Sequence, residues 1–162
     1  MSVRGWESYP TYIATGAVAS ISIPVSPDHT RFMVEIYVVN DANAKSVSVT
    51  FNGDATSGNY SYQYLDATGA TVTAGRGTTQ NITVATMDAS TVGQFTLMVS
   101  KPAPGVVARY SIASATYTSG IVFDAWARQW TNTADAITAI AVNAVANNLA
   151  AGTRVRVLGS RR

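Results

Sequence analysis

The chain has 162 residues, a usual length for one domain with its own core. Only 12% of the residues are charged and the formal net charge is +2, which is too small to predict direct binding to nucleic acid. The sequence has no cysteine, which excludes disulfides and thiolate metal sites. It has no apolar run long enough to span a membrane and no secretory signal at its start, so we expect no membrane contact and synthesis in a cytoplasm.

The segment 1–16 reads as an amino-terminal arm ahead of the first predicted strand. Its aromatic residues are Trp6, Tyr9 and Tyr12, and Pro10 lies between the two tyrosines. Aromatic side chains are enriched at protein interfaces, so we expect these three residues to contact a neighbouring protein. A frayed, solvated terminus is the alternative.

Apolar and polar residues alternate along most of the remaining chain, and this period of two predicts β-strands. In 45–51, Val47, Val49 and Phe51 face one way while serine and threonine face the other. In 32–39 both faces are largely apolar, which predicts a central strand covered on both sides. The predicted strands are 17–24, 32–39, 45–51, 60–65, 80–86, 94–100, 106–116, 121–131, 136–143 and 153–159.

Turn residues separate these strands, as in 52–54, 66–69 and 102–105, where Gly, Pro or Asx allows the chain to reverse. Many short strands at this spacing are typical of sandwiches and barrels. We therefore predict an all-β fold of about 8–10 antiparallel strands, either a sandwich or a barrel, with a single domain over 17–159. Gly-Arg-Gly at 75–77 is too short for a phosphate-binding loop and is predicted to be a mobile loop.

An alanine-rich segment near the carboxyl end fits either a helix or a strand. Ile137 and Ile140 would share a helical face, which favours a helix. Val142 and the neighbouring threonine and asparagine residues form helices poorly, which favours a strand. We predict a strand over 136–143 followed by a loop, with a helix over 136–150 as the alternative.

Three tyrosines at alternate positions form a stripe on one strand. Tyr60, Tyr62 and Tyr64 would all point to the same face. On an exposed face, this stripe would be a candidate ligand surface for sugar rings or a protein. On a buried face, the rings would pack in the core with their hydroxyls at the rim.

A second aromatic group lies on the strand 121–131. Trp126 and Trp130 share a face with Arg128 between them. Because tryptophan and arginine dominate interface hot spots, Arg128 and Trp130 are candidate interface residues. Core packing is the alternative, and it fits Trp126 better than Trp130.

The carboxyl end is basic. Arg154 and Arg156 alternate with valines in the last predicted strand, and Arg161 and Arg162 lie in a tail over 160–162. We expect these four arginines to pair with carboxylates on a partner protein. A disordered terminus is the alternative for the last two.

The residues that catalysis would need are sparse. His29 is the only histidine and lies in a proline-containing turn, where a solvated side chain is expected. Asp54 and Asp66 lie in predicted turns, where carboxylates usually accept hydrogen bonds from nearby backbone amides. Asp124 is expected to pair with a neighbouring arginine in a buried position. We predict no catalytic residue, no metal site and no cofactor.

Three motifs follow one another from Val47 to Gly159. They are Val47 to Asp54 followed by Asn59 to Gln63; Trp130 with Ile137-Thr138-Ala139-Ile140 and the loop 148–153; and the closing Val157-Leu158-Gly159. In this order they resemble a recurrent family of bacteriophage structural proteins. The chain departs from the family pattern where relatives carry an aromatic residue in the closing strand.

The resemblance implies an antiparallel, jelly-roll-like β-sandwich of the phage virion that catalyses nothing. We expect a capsid decoration or cement protein, made in the bacterial cytoplasm, that binds the major capsid protein or other virion proteins. We also expect it to bind itself, as a trimer or alternatively a dimer. A tail, fibre or receptor-binding component that contacts host saccharide is one alternative function, and a carbohydrate-binding module is another.

Overall fold

The structure is a computed structural model that describes residues 5–40, 45–56, 58–68, 70–78, 82–87, 91–103, 105–117, 121–145 and 147–161. These residues form thirteen strands, and no helix among them could cross a membrane. The strands are β1 (Glu7–Ser8), β2 (Tyr12–Ile13), β3 (Ser20–Pro24), β4 (Arg31–Val39), β5 (Lys45–Phe51), β6 (Tyr60–Thr68), β7 (Thr71–Thr78), β8 (Ile82–Met87), β9 (Val92–Ser100), β10 (Ala108–Tyr117), β11 (Ile121–Trp130), β12 (Ala139–Ala144) and β13 (Arg154–Ser160).

Two antiparallel sheets contain these strands. The large sheet has the order β1-β13-β4-β9-β10-β11-β6-β7, with β2 also paired to β13. The small sheet has the order β3-β12-β5-β8. Between β3 and β13 the chain passes repeatedly from one sheet to the other, which is the jelly-roll type of connection. The predicted all-β, antiparallel sandwich in a single domain is therefore confirmed.

The core lies between the two sheets and follows from the alternation in the sequence. Every second side chain of β4 and β9 is buried, and those of β5 and β12 meet them from the small sheet. Removing these apolar side chains from water contributes about 25 cal/mol for each Å² buried. The largest fully buried side chains are Trp130, Tyr60, Phe32, Phe51, Phe95, Ile21, Ile36, Leu97 and Ile112.

Three strands were not predicted from the sequence. The short strands β1 and β2 pair with β13, and β7 pairs with β6. Residues 75–77 therefore lie in a strand, and their prediction as a loop was wrong. β4 also differs from its prediction, because only one of its faces is buried while Tyr37 on the other face is 40% exposed.

The alanine-rich segment forms a strand, as predicted, but the strand begins three residues late. The side chain of Asn52 binds the backbone at the start of this segment. Its Nδ2 donates to the carbonyl of Ala136 at 2.7 Å, and its Oδ1 accepts from the amides of Thr138 and Ala139 at 2.8 and 3.1 Å. These bonds compete with strand pairing until Ala139. Ile140 and Val142 then enter the core.

The turn after β5 connects the two sheets. Asn52 and Gly53 both have positive φ, and the amide of Asp54 donates to the carbonyl of Phe51 at 2.9 Å, which defines a tight turn of the Asn-Gly type. Asp54 accepts hydrogen bonds from the amide of Thr56 and from the indole Nε1 of Trp130 at 2.9 and 2.7 Å. The predicted role of Asp54 as a turn carboxylate is confirmed.

His29 is buried, so its prediction as a solvated turn residue was wrong. It lies under the amino-terminal strands, where its Nδ1 is 2.6 Å from the hydroxyl of Tyr9. That hydroxyl also accepts from the amide of Ser26 at 2.7 Å. The ring lies against Gly159 of β13. This cluster fixes part of the predicted arm to the body of the protein.

Candidate docking face

The large sheet has one face that the small sheet does not cover, and we call it the outer face. Alternate residues of each strand point to it, and the strand register aligns them in rows. One row contains Arg31, Ser100, Arg109, Gln129 and Ser61, on five neighbouring strands. This row forms the polar margin of the face.

The next two rows are less polar and contain many small side chains. One runs through Met33, Met98, Ser111, Ala127, Gln63 and Arg76, and the other through Glu35, Thr96, Ala113, Ala125, Leu65 and Ala74. Met98 is 43% exposed and Leu65 is 54% exposed. The small residues of β10 and β11 therefore lie lower than the larger residues on both sides.

Two shallow concavities lie on the outer face over these small residues. One has a volume of about 860 Å³ and lies over the low alanines, between Met98 and Leu65. The other has a volume of about 590 Å³ and contains Arg76 and Arg109. Both are lined by Gln63, Arg76 and Ala127, so they form one continuous groove with an apolar half and a basic half. We call it the outer groove.

Most charged side chains on the outer face are positive. Its strands present five arginines: Arg31, Arg76, Arg109, Arg154 and Arg156. Glu35 is the one carboxylate that they present among the described residues, and it already accepts a hydrogen bond from Arg156 at 3.1 Å. The outer face can therefore offer guanidinium groups to carboxylates of another molecule.

Two predicted interface residues are buried in the described structure. Trp130 has no exposed surface and packs against Phe51, while Arg128 is 5% exposed. Their prediction as accessible interface residues was therefore wrong. Asp54 accepts the indole hydrogen bond of Trp130, which allows the ring to stay buried. The polar residues around Trp130 in the sequence therefore did not indicate an exposed ring.

Arg128 lies over the ring of Trp126, 4.1 Å from its centroid. Burial lowers the pKa of the Arg128 guanidinium to about 10, although the nearby Tyr110, Tyr62 and Asp124 act in the opposite direction. The cation–π contact with the Trp126 ring therefore takes the place of water around part of the guanidinium group of Arg128. The alternative of core packing for Trp126 fits its position against the core.

Asp124 is buried on the inner face, as expected, and interacts electrostatically with Arg128. Burial raises the pKa of Asp124 to about 6; a hydrogen bond from Ser114 at 3.1 Å opposes this rise, and the adjacent Asp66 adds to it. Asp66 and Asp124 are register partners on neighbouring strands. Asp66 thus lies in β6 and not in the predicted turn.

The tyrosine stripe faces inward. Tyr60 is fully buried, and its hydroxyl accepts from the amide of Phe51 at 3.1 Å. Tyr62 and Tyr64 are half-buried and lie beside Trp126, with ring centroids 5.4 and 4.6 Å from it. Their rings point away from the outer face and lie over Gly75 and Gly77, although both residues also line the concavities of that face. Packing in the core, the alternative for the stripe, is therefore correct for Tyr60, whereas Tyr62 and Tyr64 are only partly buried.

The aromatic residues of the arm have different environments. Trp6 is 43% exposed and Tyr12 is 40% exposed, so both are accessible in this chain. Tyr9 is half-buried against the core and is bonded to His29. The strands β1 and β2 lie along the edge of the large sheet.

Three of the four carboxyl-terminal arginines can be located, and Arg162 lies outside the described residues. Arg154 and Arg156 point to the outer face as the alternation predicts. Arg161 lies beyond β13 and pairs with the exposed Asp28 at 3.3 Å. The predicted basic stripe is thus divided between the outer face and a different surface.

Arg31, Arg76 and Arg109 were not identified from the sequence. They belong to three separate strands, and only the sheet register brings them to one face. The available signal was the excess of arginine over lysine together with a strand period in each segment. Assigning them would have required the strand order.

Among the residues that the structure describes, no group of three or more His, Asp or Glu side chains is arranged to hold a metal ion. The fold defines an all-β sandwich with an arginine-rich outer face. Comparison of the chain with protein-family models, with curated proteins and with solved structures finds no match.

Proposed function

We propose that the protein is a non-enzymatic structural component of a bacteriophage virion, and specifically a decoration or cement protein on the outside of the major capsid shell. The motif resemblance and the jelly-roll sandwich both support this proposal. The observation that carries it is the outer face, where five arginines surround small and apolar residues and one carboxylate is already paired. This composition suits a rigid face that docks on an acidic protein surface.

The low cost of desolvation favours docking through this face. The small and apolar residues of the outer face lose little hydration energy when a partner covers them, because they have little bound water to give up. Arginine keeps its charge at all relevant pH values and forms two-pronged contacts with carboxylates. Each exposed ion pair contributes only about 0.2–1 kcal/mol, so many copies on a symmetric shell are needed for tight attachment.

The same charge argues against contact between the outer faces of two copies. Facing arginines would repel each other, while a carboxylate-bearing shell would attract them. Self-association as a trimer or dimer would therefore use another surface of the protein. The exposed Trp6 and Tyr12 at the opposite edge from β7 are available for that contact.

A deletion and add-back experiment tests this function. Heads made without the chain should assemble but release DNA at a lower temperature than complete heads, as measured with a DNA-binding dye. Adding the purified protein should restore the release temperature. The triple variant Arg31→Gln, Arg76→Gln and Arg109→Gln should bind the heads about tenfold more weakly, because it removes three ion pairs.

The matched control is Arg161→Gln, which removes an exposed arginine outside the outer face. It should bind heads like the unmodified protein. The proposal fails if heads without the chain keep their stability while tails are missing or shortened. It also fails if the triple variant binds heads as tightly as the control.

A further inference from the structure

The basic half of the outer groove contains two arginines with no carboxylate partner among the described residues. Arg109 comes from β10 and Arg76 from β7, and both line the concavity of about 590 Å³. These strands are three positions apart in the sheet and Arg76 lies one row of the register away from Arg109, so the two Cα atoms are about 16 Å apart. Both side chains are long enough to approach one anion placed between them.

The floor between these arginines supplies neutral hydrogen-bonding groups. Gln63, Gln129 and Ser61 line the same concavity, and Ala127 leaves the centre open. Amide and hydroxyl groups can donate to an anion without competing for the guanidinium groups. The site therefore favours a planar, two-oxygen anion, for which arginine has matching geometry.

The apolar half of the groove begins at the same residues. Beyond Ala127 the floor continues over Ala113 and Ala125, and Met98 and Leu65 form its sides. An occupant that places a carboxylate between the arginines would therefore place its next group on an apolar surface. The occupant's chemistry is amphiphilic, with an acidic group next to an apolar one.

We propose that the outer groove binds an extended acidic–apolar segment of a partner protein, with a carboxylate between Arg76 and Arg109 and an apolar side chain over Ala113 and Ala125. The inference rests on the proposed function for the partner's identity, a shell protein, but its chemistry can be tested alone. Tyr62, Tyr64 and Trp126 also line the groove. A saccharide is nevertheless disfavoured, because the two tyrosine rings lie over Gly75 and Gly77 on the opposite face of the sheet and do not offer a stacking surface in the groove. The charge and the apolar floor together select the peptide.

A small probe carries the two required groups. In solution NMR, 4-phenylbutyrate at millimolar concentration should shift the alanine methyl signals of Ala113, Ala125 and Ala127 and the Nε–H signals of Arg76 and Arg109. The amide 4-phenylbutyramide, which lacks the charge, should shift them at least about threefold less at equal concentration. Arg76→Gln and Arg109→Gln should each weaken binding, and the double variant should abolish it.

Arg154→Gln is the matched control, because it removes an arginine of the same face outside the groove. It should bind the probe like the unmodified protein. The inference is overturned if the amide binds as well as the carboxylate or if the double variant still binds. It is also overturned if glucuronate or a 12-base-pair DNA duplex binds the groove and the probe does not.

The two proposals fail separately. If the probe binds the groove but heads gain no stability from the protein, the groove chemistry stands and the virion function fails. If heads bind the double variant as well as the unmodified protein while the probe requires both arginines, the groove is not the shell contact. In that case the proposed partner is wrong although the anion site is real.

Discussion

Asp54 connects the turn after β5 to the end of β11, which lies 76 positions later in the chain. Its carboxylate accepts from Trp130, from Thr56 and from the side chain of Asn59 at 2.8 Å. Burial alone would raise the pKa of Asp54, but these hydrogen bonds outweigh it and lower the pKa to about 2. The charged form of Asp54 therefore stabilises the corner between the two sheets.

Asp54→Asn should lower the free energy of unfolding at pH 7 by about 1–2 kcal/mol, because both carboxylate oxygens accept hydrogen bonds and the NH2 group of asparagine cannot. The loss stays moderate because the side chain is partly solvated. The folded pKa lies below the ordinary value of 3.8. The contribution of Asp54 is therefore complete above about pH 4 and is lost as the pH falls towards 2. Urea unfolding at pH 7 and at pH 2.5 measures both effects.

The matched control for this change is Asp28→Asn, because the Asp28 side chain is 66% exposed. It should change stability at pH 7 by less than about 0.5 kcal/mol. Equal effects of Asp28→Asn and Asp54→Asn at pH 7 would contradict the role assigned to the corner.

Asp124 should show the opposite dependence on pH. Its folded pKa of about 6 is above the ordinary 3.8, so the folded state binds more protons between these values and stability falls as the pH rises through that range. Asp124→Asn should remove this fall and stabilise the protein at pH 8 by about 1–3 kcal/mol. If Asp124→Asn instead destabilised the protein equally at pH 5 and pH 8, the buried charge of Asp124 would not be what lowers the stability at high pH.

Among the elements, β7 was the hardest strand to predict from the sequence. Glycine is unfavourable in strands, so Gly75 and Gly77 indicated a loop. The rings of Tyr64 and Tyr62 lie across these glycines from β6 and take the space that side chains would fill. The pairing is visible only when the register of the two strands is known.

Gly75→Ala should destabilise the protein by about 1–3 kcal/mol, because its new Cβ would lie 2.5 Å from the Tyr64 ring. The penalty should shrink in a Tyr64→Ser background, where the space is open. Gly16→Ala is the control, since nothing lies within 4 Å of its Cβ and its φ is not positive. Thermal unfolding of the four variants measures this coupling, and equal penalties in both backgrounds would exclude the ring contact as the cause.

The strand β12 was predictable in kind but not in its start. Ile140 and Val142 alternate as strand residues, and both are buried. The delay to Ala139 comes from the side chain of Asn52, which lies 87 positions earlier in the chain. No local pattern around Ala136 carries that information.

At the scale of the whole molecule, the alternation of apolar residues was sufficient to predict an all-β sandwich or barrel, and the motif resemblance favoured the sandwich. Each segment such as 45–51 has one apolar face, and two such sheets can bury their faces only against each other. The strand order was not predictable, because it depends on pairings such as Val157 with Val34 across the chain. The outer face was not predictable for the same reason, since its arginines come from β4, β7, β10 and β13, which are not adjacent in the sequence.

The charge distribution of the molecule has a measurable consequence for docking. The outer face is basic although the net charge is only +2. Binding to heads should weaken as salt rises from 50 to 500 mM, since exposed pairs are screened over about 10 Å at 0.1 M salt. Co-sedimentation of the protein with heads measures this dependence. Binding that strengthened with salt would indicate an apolar contact made without the arginines.

A cryo-electron microscopy map of the virion tests the central claim most directly. The account predicts that the chain lies on the shell with the outer face towards it, so that Arg76 and Arg109 are within reach of shell carboxylates. The small sheet should then face the solvent. A map in which the small sheet contacts the shell and the outer face is bare, or in which the chain is absent from the shell, would contradict it.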